Sequence, residues 1–184
     1  MAPRTDHTHV ILLRGINVGG KNRVPKDTLI RLAQAGGAQE VTTYLTSGNL
    51  LFTLPDGVEA TALRSAVVEG IRSELDLAVP SHLVTRDELD EALTLLDELG
   101  FTHEDPKMIH LTVLDSTSDP DGTAALESYD GGPDQWAVRR RFVWTRFATS
   151  SQKSALTLSR VEKTLKRSGT ARNLNTVRAL AGRE

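Results

Sequence analysis

Apolar and polar positions recur along this chain with two different periods, and the changes of period mark its elements. Residues 8–14 hold four consecutive aliphatics, Val10, Ile11, Leu12 and Leu13, the pattern of a central strand covered on both faces. Residues 25–35 shift to helical spacing, with Leu29, Leu32 and Ala33 on one side, Pro25 near the first turn and Gly36-Gly37 as the stop. Alternation returns at 40–45 (Val41, Thr43, Leu45) and at 49–54 (Leu50, Phe52, Leu54). With Ser47-Gly48 between them, these segments predict a hairpin. Leu63, Val67, Ile71 and Leu75 then recur every fourth residue, which predicts a helix over 59–75, and 81–85 is a short strand.

The resulting order, β-α-β-β-α-β, is that of a split βαβ, ferredoxin-like lobe. A helix follows over 87–99, with Leu89, Leu93 and Leu96 inward and Gly100 at its end. Asp87, Glu88, Asp90 and Glu91 crowd its first turns, where the helix dipole favours acids, and read as capping and solvation. A strand at 108–114, a short helix at 122–128 and a hairpin of 134–139 with 141–147 come next. Helices at 154–167 and 174–181 complete the chain, so the second half repeats β-α-β-β-α. The expected architecture is α+β: two ferredoxin-like lobes, each an antiparallel sheet with helices packed on one face. The lobes are expected at 1–86 and 87–184, with helix 87–99 able to belong to either.

Composition narrows the function classes. The chain has 184 residues, no cysteine and 39% hydrophobic residues. Disulfide scaffolds, zinc–cysteine sites, iron–sulfur clusters and thiol catalysis are excluded, and the apolar content suits a packed core. No apolar run is long enough to span a bilayer, and Met-Ala-Pro-Arg-Thr-Asp-His has no signal core, so a soluble, cytoplasmic protein is expected. The formal charge of −2 conceals a division. Residues 1–130 hold 10 basic and 21 acidic side chains, whereas residues 131–184 hold 12 basic and 3 acidic. Such asymmetry points either to an anionic partner or to mutual neutralisation in the fold.

The segment Arg14-Gly15-Ile16-Asn17-Val18-Gly19-Gly20-Lys21-Asn22-Arg23 lies between the first strand and the first helix. Its glycines let the backbone turn and expose N–H groups, while Arg14, Lys21 and Arg23 add charge and Asn17 and Asn22 add amides, as in an anion cradle. It satisfies G-x-x-x-x-G-K but fails as a nucleotide P-loop. Asn22 stands where a Ser or Thr should ligate magnesium, Pro25 delays the helix, and the strand order is not that of a parallel sheet. Asp115, after an apolar strand, mimics the acid of such enzymes only in the way many strand-ending acids do. Ser47-Gly48-Asn49 is good turn chemistry, and Ser47 and Asn49 also read as polar contacts beside the glycine-rich loop.

Three blocks carry a family resemblance. Leu12-Leu13-Arg14-Gly15-Ile16-Asn17-Val18-Gly19-Gly20-Lys21-Asn22, Thr43-Tyr44-Leu45-Thr46-Ser47-Gly48-Asn49 and Thr170-Ala171-Arg172-Asn173-Leu174-Asn175-Thr176 resemble, in order, the signatures of an uncharacterised bacterial family, domain of unknown function 1697. The resemblance implies two ferredoxin-like lobes and no established reaction. Leu174 in place of the usual tryptophan, Arg140 in place of a turn glycine, and the lack of a glycine in 147–153 depart from the pattern.

In the third block, Asn173 or Asn175 reads as a helix N-cap. Arg172 would then be a cation beside a helix N-terminus, poorly matched to the dipole unless an anion or a carboxylate accompanies it. Arg160, Lys163 and Arg167 recur on one helix face near Arg139, Arg140, Arg141 and Arg146, a candidate phosphate-binding surface. RNA-binding ferredoxin-like modules stack bases on sheet aromatics, but strand one has none and 47–52 lacks the RNP1 pattern. Ser150-Ser151-Gln152-Lys153 contains S-x-x-K without its partner motifs. The scattered His7, His9, His82, His103 and His110 have no metal-ligand spacing, so no metal site is expected and no cofactor is implied.

The leading expectation is binding of a phosphorylated or otherwise anionic ligand, such as a nucleotide, by Arg14, Asn17, Lys21, Asn22, Ser47, Asn49, Arg172 and Asn173. Donors outnumber acid–base groups in that set, which favours binding over proton transfer. An enzyme acting on a nucleotide or phosphate ester is the second reading, and a protein–protein or nucleic-acid interaction module the third. No membrane partner is expected.

Overall fold

The computed structural model describes residues 7–183. Its first half follows the sequence periods closely: β1 (His9–Leu13), α1 (Lys26–Ala35), β2 (Gln39–Tyr44), β3 (Asn49–Thr53), α2 (Ala60–Leu75) and β4 (Ser81–Thr85). The sheet order is β2-β3-β1-β4, and every pair is antiparallel. β1 is therefore a central strand, which is why it can be apolar at consecutive positions. Ile11 and Leu13 pack with Leu50 and Phe52 against Leu29, Ala33, Leu63, Val67 and Ile71 of the two helices. Val10 and Leu12, on the opposite face, are buried as well. Full burial of one such side chain contributes roughly 1.5–3 kcal/mol, so this strand anchors the sheet.

The second half contains α3 (Arg86–Leu99), a 3₁₀ turn (Pro106–Met108), β5 (Ile109–Leu114), α4 (Pro120–Glu127), β6 (Gln135–Arg139), β7 (Phe142–Arg146), α5 (Leu158–Leu165), β8 (Gly169–Asn173) and α6 (Leu174–Ala181). A capping box starts α3: Thr85 Oγ1 accepts from the Glu88 N–H at 3.1 Å, and Glu88 Oε2 accepts from the Thr85 N–H at 2.9 Å. The second sheet runs β6-β7-β5-β8, again all antiparallel, so it repeats the first topology strand for strand. Leu114, Val138 and Val143 pack against Leu126 of α4 and Val161 and Leu165 of α5. The buried Trp144 indole donates to the Ala92 carbonyl of α3 at 2.9 Å. The chain is thus an α+β protein of two split βαβ lobes. By contacts, residues 7–88 with 182–183 form one compact unit and residues 89–181 the other.

Two elements differ from the sequence expectation. Helix 154–167 is shorter, because Thr157 acts as its N-cap, accepting from the Arg160 N–H at 3.2 Å, and Lys166 closes it in the left-handed region. β8 was not expected. Gly169-Thr170-Ala171-Arg172-Asn173 has no apolar alternation, and it becomes a strand because β5 offers a free edge with which it pairs from His110 to Leu114.

Gly48 shows how tightly the first lobe constrains one turn. It sits at φ +86, and a Cβ there would lie 2.8 Å from the Leu13 Cβ and 3.0 Å from the Leu13 carbonyl oxygen. Gly19, also at positive φ, faces open space. Gly48→Ala should therefore lower the unfolding free energy by about 2–3 kcal/mol and Gly19→Ala by about 1 kcal/mol or less, measured by urea denaturation. A pH series tests a second feature. Burial pushes His9 and His110 below the ordinary value of 6.5. The unfolded chain then binds protons that the folded chain does not, so stability is full above 6.5 and declines as pH falls below it. The decline should be shallower in His110→Phe.

Candidate functional site

The glycine-rich segment leaves the C-terminal end of β1 and folds on itself before α1. Gly15 turns the chain at φ +71, and Ile16 drops into the core. Asn17 takes the left-handed conformation at φ 54, where asparagine is tolerated. Its Oδ1 accepts from the Val24 N–H at 3.0 Å, and its Nδ2 donates to the Val24 carbonyl at 3.1 Å, so one side chain closes the loop from both ends. At the tip, the Lys21 N–H donates to the Val18 carbonyl at 3.0 Å across Gly19 (φ 57) and Gly20 (φ 76). Two consecutive positive φ values define the type I′ turn, and this is what the paired glycines are for. Asn22 donates from Nδ2 to the Gly15 carbonyl at 3.0 Å. Val18 projects from the tip with 65% of its surface exposed.

The second loop, 45–49, joins β2 to β3. Leu45 is held at φ 55 with 60% of its surface exposed, an unusual state for a large apolar residue. Asn49 is fully buried and donates to the Tyr44 carbonyl at 2.9 Å and to Ser47 Oγ at 3.2 Å. The Gly48 carbonyl accepts from the Leu13 N–H at 2.7 Å. Asn17 links the two loops directly, because its Nδ2 also donates to the Thr46 carbonyl at 2.9 Å. The adjacency of β1 and β3 thus brings the first two sequence blocks together.

Between these loops and the start of α1 lies a cleft of about 380 Å³. Val24, Pro25, Leu29 and Leu45 supply its apolar surface, and Asn17, Thr43 and Thr46 its neutral polar groups. Arg23 and Lys26 supply two exposed cations, and none of its lining residues is acidic. α1 follows Pro25 without a side-chain cap, and Asp27 in its first turn partly offsets the positive end of its dipole.

Of the residues expected from the sequence, Asn17 and Asn49 line this cleft, and Arg14, Lys21, Asn22 and Ser47 lie in the same two loops without lining it. Arg172 and Asn173 belong to the second unit, on β8. Arg172 donates from Nη1 to Thr170 Oγ1 at 3.0 Å and to the Ala171 carbonyl at 2.8 Å, and burial lowers its guanidinium to about 10. Asn173 Oδ1 accepts from the Thr176 N–H at 3.0 Å, the expected cap of the last helix. Sequence reasoning noted Arg23 only as charge and missed Lys26, Thr43, Leu45 and Thr46. Lys26 carried a faint signal as a cation at the start of an uncapped helix. Leu45 carried none, since its backbone conformation is invisible in the alternation.

Several arginines of the last third have local partners. Arg139 pairs with Glu127 at 3.1 Å and Arg140 with Glu91 at 2.6 Å. Arg160 stacks on the Tyr129 ring at 4.4 Å, and the Arg146 and Arg167 side chains donate to the Thr102 and Thr117 carbonyls, each at 3.1 Å. Asp115 accepts from the Ser168 N–H at 3.2 Å, a loop-closing role rather than that of a metal-binding acid. Among the described residues no group of three or more His, Asp or Glu side chains is placed to hold a metal ion, and no helix is long and apolar enough to cross a membrane.

Comparison with known proteins agrees with this architecture. No curated protein matches the chain significantly. Among solved structures, a conserved bacterial protein from Streptococcus pneumoniae is similar over 96% of this chain and 97% of its own, with a TM-score of 0.67 and 22% identity, a likeness of fold. The model of a protein family of unknown function, DUF1697, matches residues 7–144, and the chain belongs to that family.

Proposed function

We propose that the cleft between the glycine-rich loop and the 45–49 loop binds a small phosphorylated or otherwise anionic ligand that also carries an apolar body. The observation that carries this reading is the lining itself: two cations, Arg23 and Lys26, with no acid, beside the uncapped start of α1. Val24, Leu29 and the exposed Leu45 give the ligand's body an apolar surface, and Leu45 is held there at positive φ at a cost of about 1–3 kcal/mol, strain of the kind that clusters at ligand clamps. Arg14 and Lys21 add positive charge from the same loop. Asn17, Asn22, Ser47 and Asn49 act as positioning residues, because their side chains are engaged with the loops that form the walls. Arg172 and Asn173 are assigned a structural role at the β8–α6 junction.

Magnitudes suit modest affinity. A unit charge pair at about 4 Å is worth roughly 1–4 kcal/mol near a surface, and a helix terminus roughly 0.3–1 kcal/mol. Two cations, the helix end and some apolar contact then support a Kd between about a micromolar and a millimolar. Binding is favoured over turnover because the lining offers no carboxylate or imidazole to move a proton.

Thermal shift and calorimetry with inorganic pyrophosphate, AMP and benzoate test this. At least one should bind saturably, and Arg23→Ala and Lys26→Ala should each weaken it by about tenfold while leaving the melting temperature of the free protein unchanged. Binding equal in wild type and both variants, or none by any of these anions, would overturn the reading. Asn17→Ala removes the bonds that close the loop. It should lower stability by about 2–3 kcal/mol and speed hydrogen exchange at the Val24 amide, with weaker anion binding as the consequence.

A further inference from the structure

The second unit repeats the topology of the first but not its chemistry. In the first sheet the helix-facing positions of the two central strands are Ile11, Leu13, Leu50 and Phe52, all buried and apolar. In the second sheet the equivalent face, the one bearing Leu114 and Val143, carries His110 and Thr112 on β5 and Thr145 on β7. The register sets His110 directly beside Thr145, and Thr112 beside Ala171 of β8. Where the first unit has packed side chains, this end of the second sheet has a cavity of about 290 Å³ beneath the start of α5.

Its walls are chemically specific. Thr112 and Thr145 are 5% and 4% exposed, and among the described residues neither hydroxyl has a hydrogen-bond partner in the chain. Both residues line the cavity, so each offers it a hydroxyl not engaged by the chain, where valine would fill the same shape without one. His110 donates from Nε2 to the Lys107 carbonyl at 3.0 Å, which assigns the proton to Nε2 and makes Nδ1 an acceptor. Its ring stands edge-on to Phe147 at 5.0 Å. Burial lowers the His110 pKa, so the ring is neutral near pH 7. Phe147, Leu156, Leu158 and Val161 complete an apolar wall, and no lining residue carries a formal charge.

We infer that this cavity is a second binding site, for a small uncharged molecule with adjacent hydrogen-bond donor and acceptor groups on a largely apolar body. His110 Nδ1 takes the donor, and the hydroxyls of Thr112 and Thr145 meet the acceptor. The volume suits a single ring rather than a nucleotide, and the neutral lining selects against the anions proposed for the other cleft. The inference stands independently of that proposal.

The test is an amide chemical-shift titration of the whole protein with benzamide, uracil and 2-pyrrolidone. Saturable shifts should appear in β5, β7 and the first turn of α5 for at least one probe, equally at about 0.05 M and 0.5 M salt, as an uncharged ligand requires. Thr145→Val and Thr112→Val should weaken that probe by about tenfold while leaving the melting temperature unchanged or raised, since each replaces an unmatched hydroxyl by a methyl group. Two results would overturn the inference. One is the absence of local shifts with all three probes. The other is probe binding unaffected in both valine variants, whatever their melting temperatures, which would mean that neither hydroxyl meets the ligand.

Discussion

Each unit depends on a central first strand that is paired on both edges. β1 bonds to β3 and β4, and β5 to β7 and β8. A strand in that position has no solvent face to spare, so each of its side chains must pack or find a polar partner. β1 meets the constraint with His9 at its entry and aliphatics thereafter, and its loop begins where the aliphatic run ends. The glycine-rich loop is therefore joined at its base to a strand paired on both edges, and its positive-φ residues are held by the bonds of Asn17 and Asn22.

The same constraint explains why the two units differ. β5 occupies the position of β1 but reads Ile109-His110-Leu111-Thr112-Val113-Leu114, so two of its three helix-facing positions, His110 and Thr112, are polar. Its exit differs too. Asp115 bonds the Ser168 N–H, Asp119 accepts from the Gly122 N–H at 2.6 Å, and α4 starts with a side-chain cap that α1 lacks. One unit thus keeps an apolar core and opens a cationic cleft at the strand's exit. The other closes the exit with acids and opens a neutral cavity within the core. Duplicated topology thus places the concave surfaces of the two units at different positions along the sheet.

Much of this was legible in the sequence, and the exceptions have physical causes. Leu63, Val67 and Ile71 marked α2 because a helix that buries one face must repeat its apolar residues. That the glycines turn the backbone and that Ser47 and Asn49 lie beside that loop were legible from turn chemistry, whereas the turn at Gly19-Gly20 and the bond from Asn17 to Thr46 were not. β8 was invisible because an edge strand formed by pairing with β5 needs backbone groups, not apolar alternation. In the cleft, Asn17 and Asn49 were legible as polar residues in glycine-bearing blocks, but not as the residues that tie those loops together. Lys26 and Leu45 were missed because their importance lies in position relative to another loop and in a backbone angle.

The division of charge between the first 130 residues and the last 54 has a local resolution in the second unit. Arg139 and Arg140 meet Glu127 and Glu91, acids from the acid-rich part of the sequence. Exposed pairs of this kind contribute about 0–1 kcal/mol each, so they do little to hold the fold. Their larger effect is on the field. Such a pair looks neutral beyond a Debye length of roughly 8 Å at physiological salt, whereas Arg146, Arg160 and Arg167, which meet carbonyls or a ring, keep their charge. In the cleft beside α1, Arg23 and Lys26 line a concave surface to which no acidic side chain contributes, although Asp27 follows Lys26 in the chain. The uneven sequence charge therefore does not by itself mark a face, because order along the chain does not say which acids fold back onto which cations.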